Sequence, residues 1–533
     1  MNVKDANDSD ARKLDCTIDV QPASPHDAHH SEELPFPPRY WWLKRILAAM
    51  CVLLLMLLGL RWWWGWDAER KLQARIAEYR ALGQPVTLED FKLPPIPDED
   101  NAAYFLKQAA ARITVPPGLK IDFHDISHDP DTLNLNAADI TTLLVANKAT
   151  FDRIDRAMTC NLLDWKVNCT TTNPFPNQPE LSQLPELGKL LALATRFAHL
   201  QGDDDLALQH LQRQLYIGRV IVGREASLER HLVSMVITSF AYSDIEDIAP
   251  NLRFNPSERS TSLNRHDRSS ELIQELLDES ALRENWRQAC YGERLLCVNS
   301  FQNATSSVGP FFSRSGLTNL RHHIRMPMYK LDEILMLEFY TRALCAGLCD
   351  DFQEGSRYMR DDAFPTGGFE RLSHIISYNM LPSCQLALKL HFRMIAMRRS
   401  AAIALALRLY AIERGQRPEN LEALVPDYLP YVPRDPFAAD DRPMSYLPEA
   451  THPILYSVGP DGIDDHGQYE LTEEGGVDEH KLDLVFFLNG QRPTPPAPVS
   501  TTQPNGLQTV VDESEEISDR GDAEQDDGQH QRP

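Results

Sequence analysis

The chain has 533 residues, 42% of them hydrophobic, which is ample for two or three domains and excludes a wholly disordered protein. Its formal net charge of −24 argues against a nucleic-acid partner, because phosphate binding needs a surplus of Lys and Arg. Much of the acidity lies in the two ends.

Residues 1–40 are polar, with Asp-rich and His-rich patches and a Pro-rich end at Pro35-Phe36-Pro37-Pro38, and are expected to be a disordered tail. Ile46 to Leu60 is an uninterrupted apolar run, followed by Trp62, Trp63, Trp64 and Trp66 in the manner of an interfacial aromatic belt. Taken as one helix, residues 41–66 supply about 26 residues, enough to cross about 30 Å of hydrocarbon with some tilt. A core helix has no use for Trp-rich flanks, and a cleaved signal peptide would have a small-residue site before the Trp cluster. A retained single-pass anchor is therefore expected. Lys44 and Arg45 against Arg61 favour a cytoplasmic N-terminus, which puts the bulk of the chain outside the cytoplasm, on a bacterial inner membrane.

Residues 67–97 read as a charged juxtamembrane helix, Asp67 to Ala81, and a linker broken by Pro85, Pro94, Pro95 and Pro97. From residue 98 to 383 helical patterns dominate. Asp98-Glu99-Asp100-Asn101 is a helix N-terminal signal, with Ala102 to Ile113 as the helix. Leu187, Leu190, Leu191, Ala194, Phe197 and Ala198 recur at helical spacing, Gly202-Asp203 turns the chain, and Leu208, Leu211 and Leu215 mark the return helix. Leu228 to Ile248 is a third helix. This hairpin resembles one tetratricopeptide unit, but no second copy follows at about 34 residues, so an irregular helical array is expected rather than a solenoid. Further helical patterns run through Ser270 to Leu296, Leu331 to Leu348 and Arg371 to Glu413.

Nine cysteines do not decide the compartment. Cys160 and Cys169 flank a short loop that an extracytoplasmic domain could bridge. Cys290 and Cys297 on one helix would stand about 10 Å apart along its axis, too far for a disulfide. Cys345, Cys349 and Cys384 suit small buried hydrophobes.

Candidate chemistry is sparse. His124 and His128, with Asp122, Asp125, Asp129 and Asp131, have i, i+4 spacing, yet Pro130 and the missing apolar period make a solvated loop the better account. Arg321-His322-His323 reads as a charged surface turn. No G-x-S-x-G elbow, phosphate-binding glycine loop, HEXXH pair or CxxC occurs, so no catalytic residue is assigned.

The densest signal lies near the C-terminus. The Ala-rich helix end Ala401 to Tyr410 is followed by Gly415-Gln416-Arg417-Pro418, Leu421 to Leu424, Tyr428-Leu429, Asp435-Pro436-Phe437 and Tyr446. Tyr456-Ser457-Val458-Gly459 with Asp461-Gly462 completes the series. Residues 384–489 thus resemble the soluble part of the major (G-type) pseudopilin of type II secretion systems, and the whole chain resembles larger membrane-anchored bacterial proteins that carry such an ending. The resemblance implies a small α+β module with a short antiparallel sheet and a calcium loop. Asp461, Asp464 and Asp465 supply closely spaced carboxylates, and calcium wants about six to eight oxygens. By resemblance, the carbonyls of Ser457 and Val458 and the carboxylate of Asp483 join them. The insertion Gln468 to Lys481 departs from the family pattern. So does the position of the apolar run, which lacks the short leader and the early Glu of pseudopilins, so filament assembly is not expected. Residues 490–533, rich in Pro, Thr, Gln and then acid, are expected to be a disordered tail.

The fold class expected is thus mainly α: an N-terminal transmembrane helix, an irregular multi-helix array and the small α+β module. The functional expectation is an envelope scaffold or partner-binding protein with a protein partner, a calcium-stabilised end and no nucleic acid. The alternatives are a membrane-tethered hydrolase with a site in the helical domain, or an accessory factor of a secretion machine.

Overall fold

The apolar run Ile46 to Leu60 and the Trp-rich segments on either side of it lie in one continuous helix, α1 (Trp41–Ala81). In the computed structural model, residues 40–91, 94–119, 130–166, 178–223, 227–253, 263–306, 316–360, 375–448, 452–470 and 482–490 are described. Nearly all of both terminal tails, and residues 471–481 of the acidic insertion, lie outside them. An 18-residue window of α1 is apolar and long enough to cross a bilayer, and none of it is buried by protein. Within this first part of the chain the Arg45 guanidinium lies over the Trp41 ring at 3.8 Å.

From Asp67 onward the chain forms one compact unit. The second half of α1 is amphipathic: Leu72, Ile76 and Tyr79 fall on one face and pack with Val86, Val298 and Leu337. Polar bonds flank this seam. Arg75 pairs with Glu338 at 2.6 Å, Lys330 pairs with Glu69, and the Arg294 guanidinium stacks on the Tyr79 ring while donating to Gln84 and Thr341.

Short helices follow: α2 (Leu88–Phe91), α3 (Ala102–Ala110), α4 (Pro130–Leu135), α5 (Ala137–Ala146) and α6 (Lys148–Met158). Asn101 caps α3 by accepting from the Ala103 amide and ties it to the Asp164 carbonyl. The helical hairpin is present as α7 (Glu180–Leu200) and α8 (Asp204–Val220), with Asp203 capping α8 through the Leu206 amide and Leu208, Leu211 and Leu215 buried. Helix α9 (Leu228–Ile248) packs on both.

The pattern over Ser270 to Leu296 divides into α10 (Leu263–Leu277) and α11 (Ser280–Ser306), because Asp278 turns its carboxylate onto the Ser280 amide and ends the first helix. Helix α12 (Gly316–Gly347) contains Arg321-His322-His323, so that segment is helical backbone rather than the surface turn expected of it. Helices α13 (Phe352–Tyr358) and α14 (Ile375–Arg414) complete the array. Residues 401–407 of α14 are all buried, the mark of a helix covered on every side.

One deep cluster shows how tightly these helices meet. Trp286 donates its ring N–H to the Ala343 carbonyl, and Gly347 lies so close that an added Cβ would stand 2.2 Å from the indole nitrogen. The His391 Nε2 lies 3.2 Å from the Gly347 carbonyl and must carry the proton; its Nδ1 then accepts from His231 Nε2 at 3.3 Å. Burial holds both imidazoles neutral, His231 with its pKa lowered to about 3.

Strands β1 (Ser445–Leu447), β2 (Ile454–Ser457) and β3 (Leu484–Phe487) form an antiparallel sheet in the order β1-β2-β3, with Ser445 opposite Tyr456 and Ser457 opposite Leu484. Both faces of β2 and β3 are buried. Leu455 and Phe486 join the main core, while Ile454, Tyr456, Val485 and Phe487 form a second cluster with Leu447 and Tyr469. No described cysteine is in a disulfide, and Cys169 lies outside the described residues. Cys384 is buried as expected, but Cys345 is exposed because its position on α12 faces away from the core.

Glu333 on α12 is buried, and desolvation, with Glu69 nearby, pushes its pKa up to about 8. An acid whose folded pKa exceeds its unfolded value binds more protons when folded, so stability falls as pH rises from the ordinary Glu range to about 8. Glu333→Gln should therefore raise the melting temperature at pH above 8 and leave it unchanged near pH 4. A variant that melts like the parent at alkaline pH would contradict this account.

Candidate functional site

The segment after β2 must reverse direction twice within a few residues. Gly459 and Gly462 allow this with φ of +72° and +71°, and the Gly462 amide closes the first turn on the Gly459 carbonyl at 3.1 Å. Three aspartates then hold the loop, each by a different set of donors.

Asp435 is buried. Its carboxylate accepts from the Ser457 hydroxyl at 2.5 Å, the Val458 amide at 2.8 Å and the Phe437 amide at 2.9 Å. Burial raises its pKa, and these three donors oppose the rise. The Asp-Pro-Phe turn is thus the clamp that joins the end of β2 to the chain following α14. Phe437 is fully buried and packs on Phe352 and Phe392.

Asp483 is buried just before β3 and accepts from the Gly467 amide at 2.7 Å and the Asp465 amide at 3.3 Å. Burial raises its pKa to about 6; the two amides oppose that, and Asp464 and Asp465 add to it. Asp464 accepts from Arg442 at 2.7 Å, from the His466 amide at 3.0 Å and from the Tyr456 hydroxyl at 3.2 Å. Burial alone would raise the Asp464 pKa, but these donors outweigh it and hold the carboxyl below its ordinary value. Asp461 is exposed and accepts from the Ile463 amide two residues on.

The six sequence-predicted ligands therefore divide. Asp464, Asp465 and Asp483 come together at the loop. At Ser457 and Val458, whose carbonyls are the expected ligands, it is the hydroxyl and the amide that bond Asp435, and Asp461 closes its own turn. Among the described residues, no group of three His, Cys, Asp or Glu side chains is placed to hold a metal ion. Both oxygens of Asp464 and of Asp483 already accept from protein donors, among them the Arg442 guanidinium on Asp464. A calcium ion at this loop would have to compete with those donors for the carboxylate oxygens it needs.

Two residues that sequence reasoning did not single out complete the site. Arg442 sits near Asp440 and Asp464, and only the three-dimensional fold shows which of them it neutralises. Glu246 on α9 accepts from the Phe487 amide at 2.7 Å, capping the outer edge of β3 across a sequence separation of 241 residues. No local signal announces such a bond. His124 and His128 lie outside the described residues, and Asp131 is exposed in the first turn of α4.

A scan against protein-family models, a search of curated proteins and a search of solved structures return no match.

Removing the Asp435 carboxylate would leave three buried donors unpaired. Asp435→Ala should cost roughly 3 kcal/mol of stability or more, Asp435→Asn less because one acceptor oxygen remains, and Ser457→Ala about 1 kcal/mol. Thermal or urea melts in that rank order are the check; an Asp435→Ala protein as stable as the parent would refute the clamp.

Proposed function

We propose that this chain is a single-pass envelope protein of the bacterial inner membrane, whose helical body engages a protein partner outside the cytoplasm and ends in a pseudopilin-like module. The observation that carries this reading is the apolar run of α1. Leu53, Leu54, Leu55, Met56 and Leu57 are all more than half exposed. Each such side chain left in water forfeits about 1.5–3 kcal/mol of burial energy, a cost that a bilayer removes. Exposed Trp62, Trp63 and Trp66 at its end suit the headgroup region.

The pseudopilin-like part of the reading rests on order along the chain: an Ala-rich helix, an Asp-Pro-Phe turn, three antiparallel strands and a glycine-rich acidic loop. The buried Asp435 clamp supplies a physical reason for the Asp-Pro-Phe element in such a module. In this reading calcium is a second state of the loop, reached when the ion replaces Arg442 on Asp464.

The full chain should remain in the membrane pellet after alkaline carbonate extraction, and a chain lacking residues 41–66 should move to the supernatant. Exposed Cys345 should react with a membrane-impermeant maleimide added to spheroplasts. Release of the full chain by carbonate would end the anchor reading, and labelling of Cys345 only after lysis would reverse its orientation. For the loop, calcium should raise the melting temperature of Arg442→Ala more than that of the parent. Equal melts of both proteins with calcium and with chelator would remove calcium from the account.

A further inference from the structure

A cleft of about 510 Å³ opens where the linker after α1 meets the end of α8 and one face of α11. Its size falls within the roughly 300–1,000 Å³ of small-molecule sites. Pro85, Phe91, Leu163 and Val220 supply its apolar lining. The polar lining comes from Asp90, Arg219, Glu284, Asn285 and Gln288. Arg219 and Asn285 also line an adjoining cavity of about 40 Å³ that contains Glu275, Ser234 and Thr238, so the two spaces share a wall.

The charges in this cleft are already engaged by the protein. Asp90 accepts from Arg80 and from the Val86 and Thr87 amides. Glu284 pairs with Arg287 and accepts from the Gln288 side chain at 2.6 Å. Arg219 lies 3.5 Å from Glu275. A strongly charged ligand would have to break these pairs, which argues for a neutral one.

The remaining capacity is of a particular kind. The Asn285 side-chain nitrogen donates to the carbonyls of Gly218 and Arg219, and that of Gln288 to Glu284, leaving the two amide oxygens as acceptors. Arg219, half exposed, has N–H groups beyond the one facing Glu275. Asn285 and Gln288 stand three residues apart on one helix face, about 5–6 Å between Cβ atoms. The cleft is therefore lined by planar amide and guanidinium groups together with the half-buried Phe91. Hydroxyls on neighbouring carbons donate to and accept from such groups, and the C–H face of a sugar ring suits an aromatic wall. A peptide backbone would ask instead for an unpaired strand edge.

We propose that this cleft binds a neutral, hydroxyl-rich saccharide, with Gln288 and Asn285 accepting from its hydroxyls, Arg219 donating to them and Phe91 covering one face of a ring. This assignment stands apart from the anchor and from the loop after β2.

The test uses the full chain in a polyoxyethylene detergent, which carries no sugar, with maltotriose and the trimer of N-acetylglucosamine as probes in calorimetry and saturation-transfer NMR. At least one trisaccharide should bind saturably below about 10 mM, the weak end of specific binding. Gln288→Ala and Phe91→Ala should each weaken it about tenfold while the unliganded melting temperature stays that of the parent. Should either variant unfold, Gln288→Glu, which keeps the shape and adds a charge, should show the same loss. No saturable binding of either sugar, or undiminished binding by folded variants, would overturn the assignment. So would trilysine or citrate binding in a manner that Gln288→Ala abolishes, since the cleft would then be a charged-ligand site.

Discussion

Burial of residues 401–407 of α14 on all sides is the constraint around which the rest of this protein is arranged. A 40-residue helix whose residues 401–407 are all inaccessible to water must be surrounded, and α9, α10 and α12 surround it together with β2 and β3. Its run of alanines lets neighbouring backbones approach closely, and the larger side chains of the partners fill the space between. The sheet exists in this context. Three strands of three or four residues would not persist alone, but with one face on α14 and the outer edge of β3 capped by Glu246 they have no free apolar face to hide.

The same burial explains the chemistry of the loop after β2. Once Ser457 and Val458 are drawn into the core, their donors need a partner that water cannot supply, and Asp435 provides it at the cost of a raised pKa. Asp483 meets the same demand for the amides of Asp465 and Gly467. Asp464, nearer the surface, is balanced by Arg442. Acid density in the sequence invites a metal reading, yet in the folded protein these carboxylates serve as acceptors for backbone and side-chain donors. Any ion must compete with bonds that already satisfy them.

Much of the architecture was legible without the fold. The α7–α8 hairpin follows from leucine spacing and the Gly202-Asp203 turn, and the extent of α9 from its apolar period. The Asp-Pro-Phe turn and the acidic loop were visible as motifs. Errors arose where local signals stand for two outcomes. The Ser270 to Leu296 pattern hides a break, because Asp278 can sit within a helix or end one, and only its bond to the Ser280 amide decides. Arg321-His322-His323 is polar enough for a turn, yet it lies within α12. Cys345 has the apolar neighbours of a core residue but takes the outer face of its helix.

By itself the sequence determined the features set by short-range physics: one apolar helix long enough to cross a bilayer, a helical body, turns at glycine and aspartate, and a predominance of acid over base. Periodicity and composition act within a few residues of each position, so they can be read along the chain. The tertiary structure alone decided which carboxylate clamps which donors, that Glu246 caps β3, and that the linker after α1 and α11 enclose a cleft. Those outcomes depend on groups far apart in sequence, whose pairing follows from how α14 is buried and is written in no local pattern.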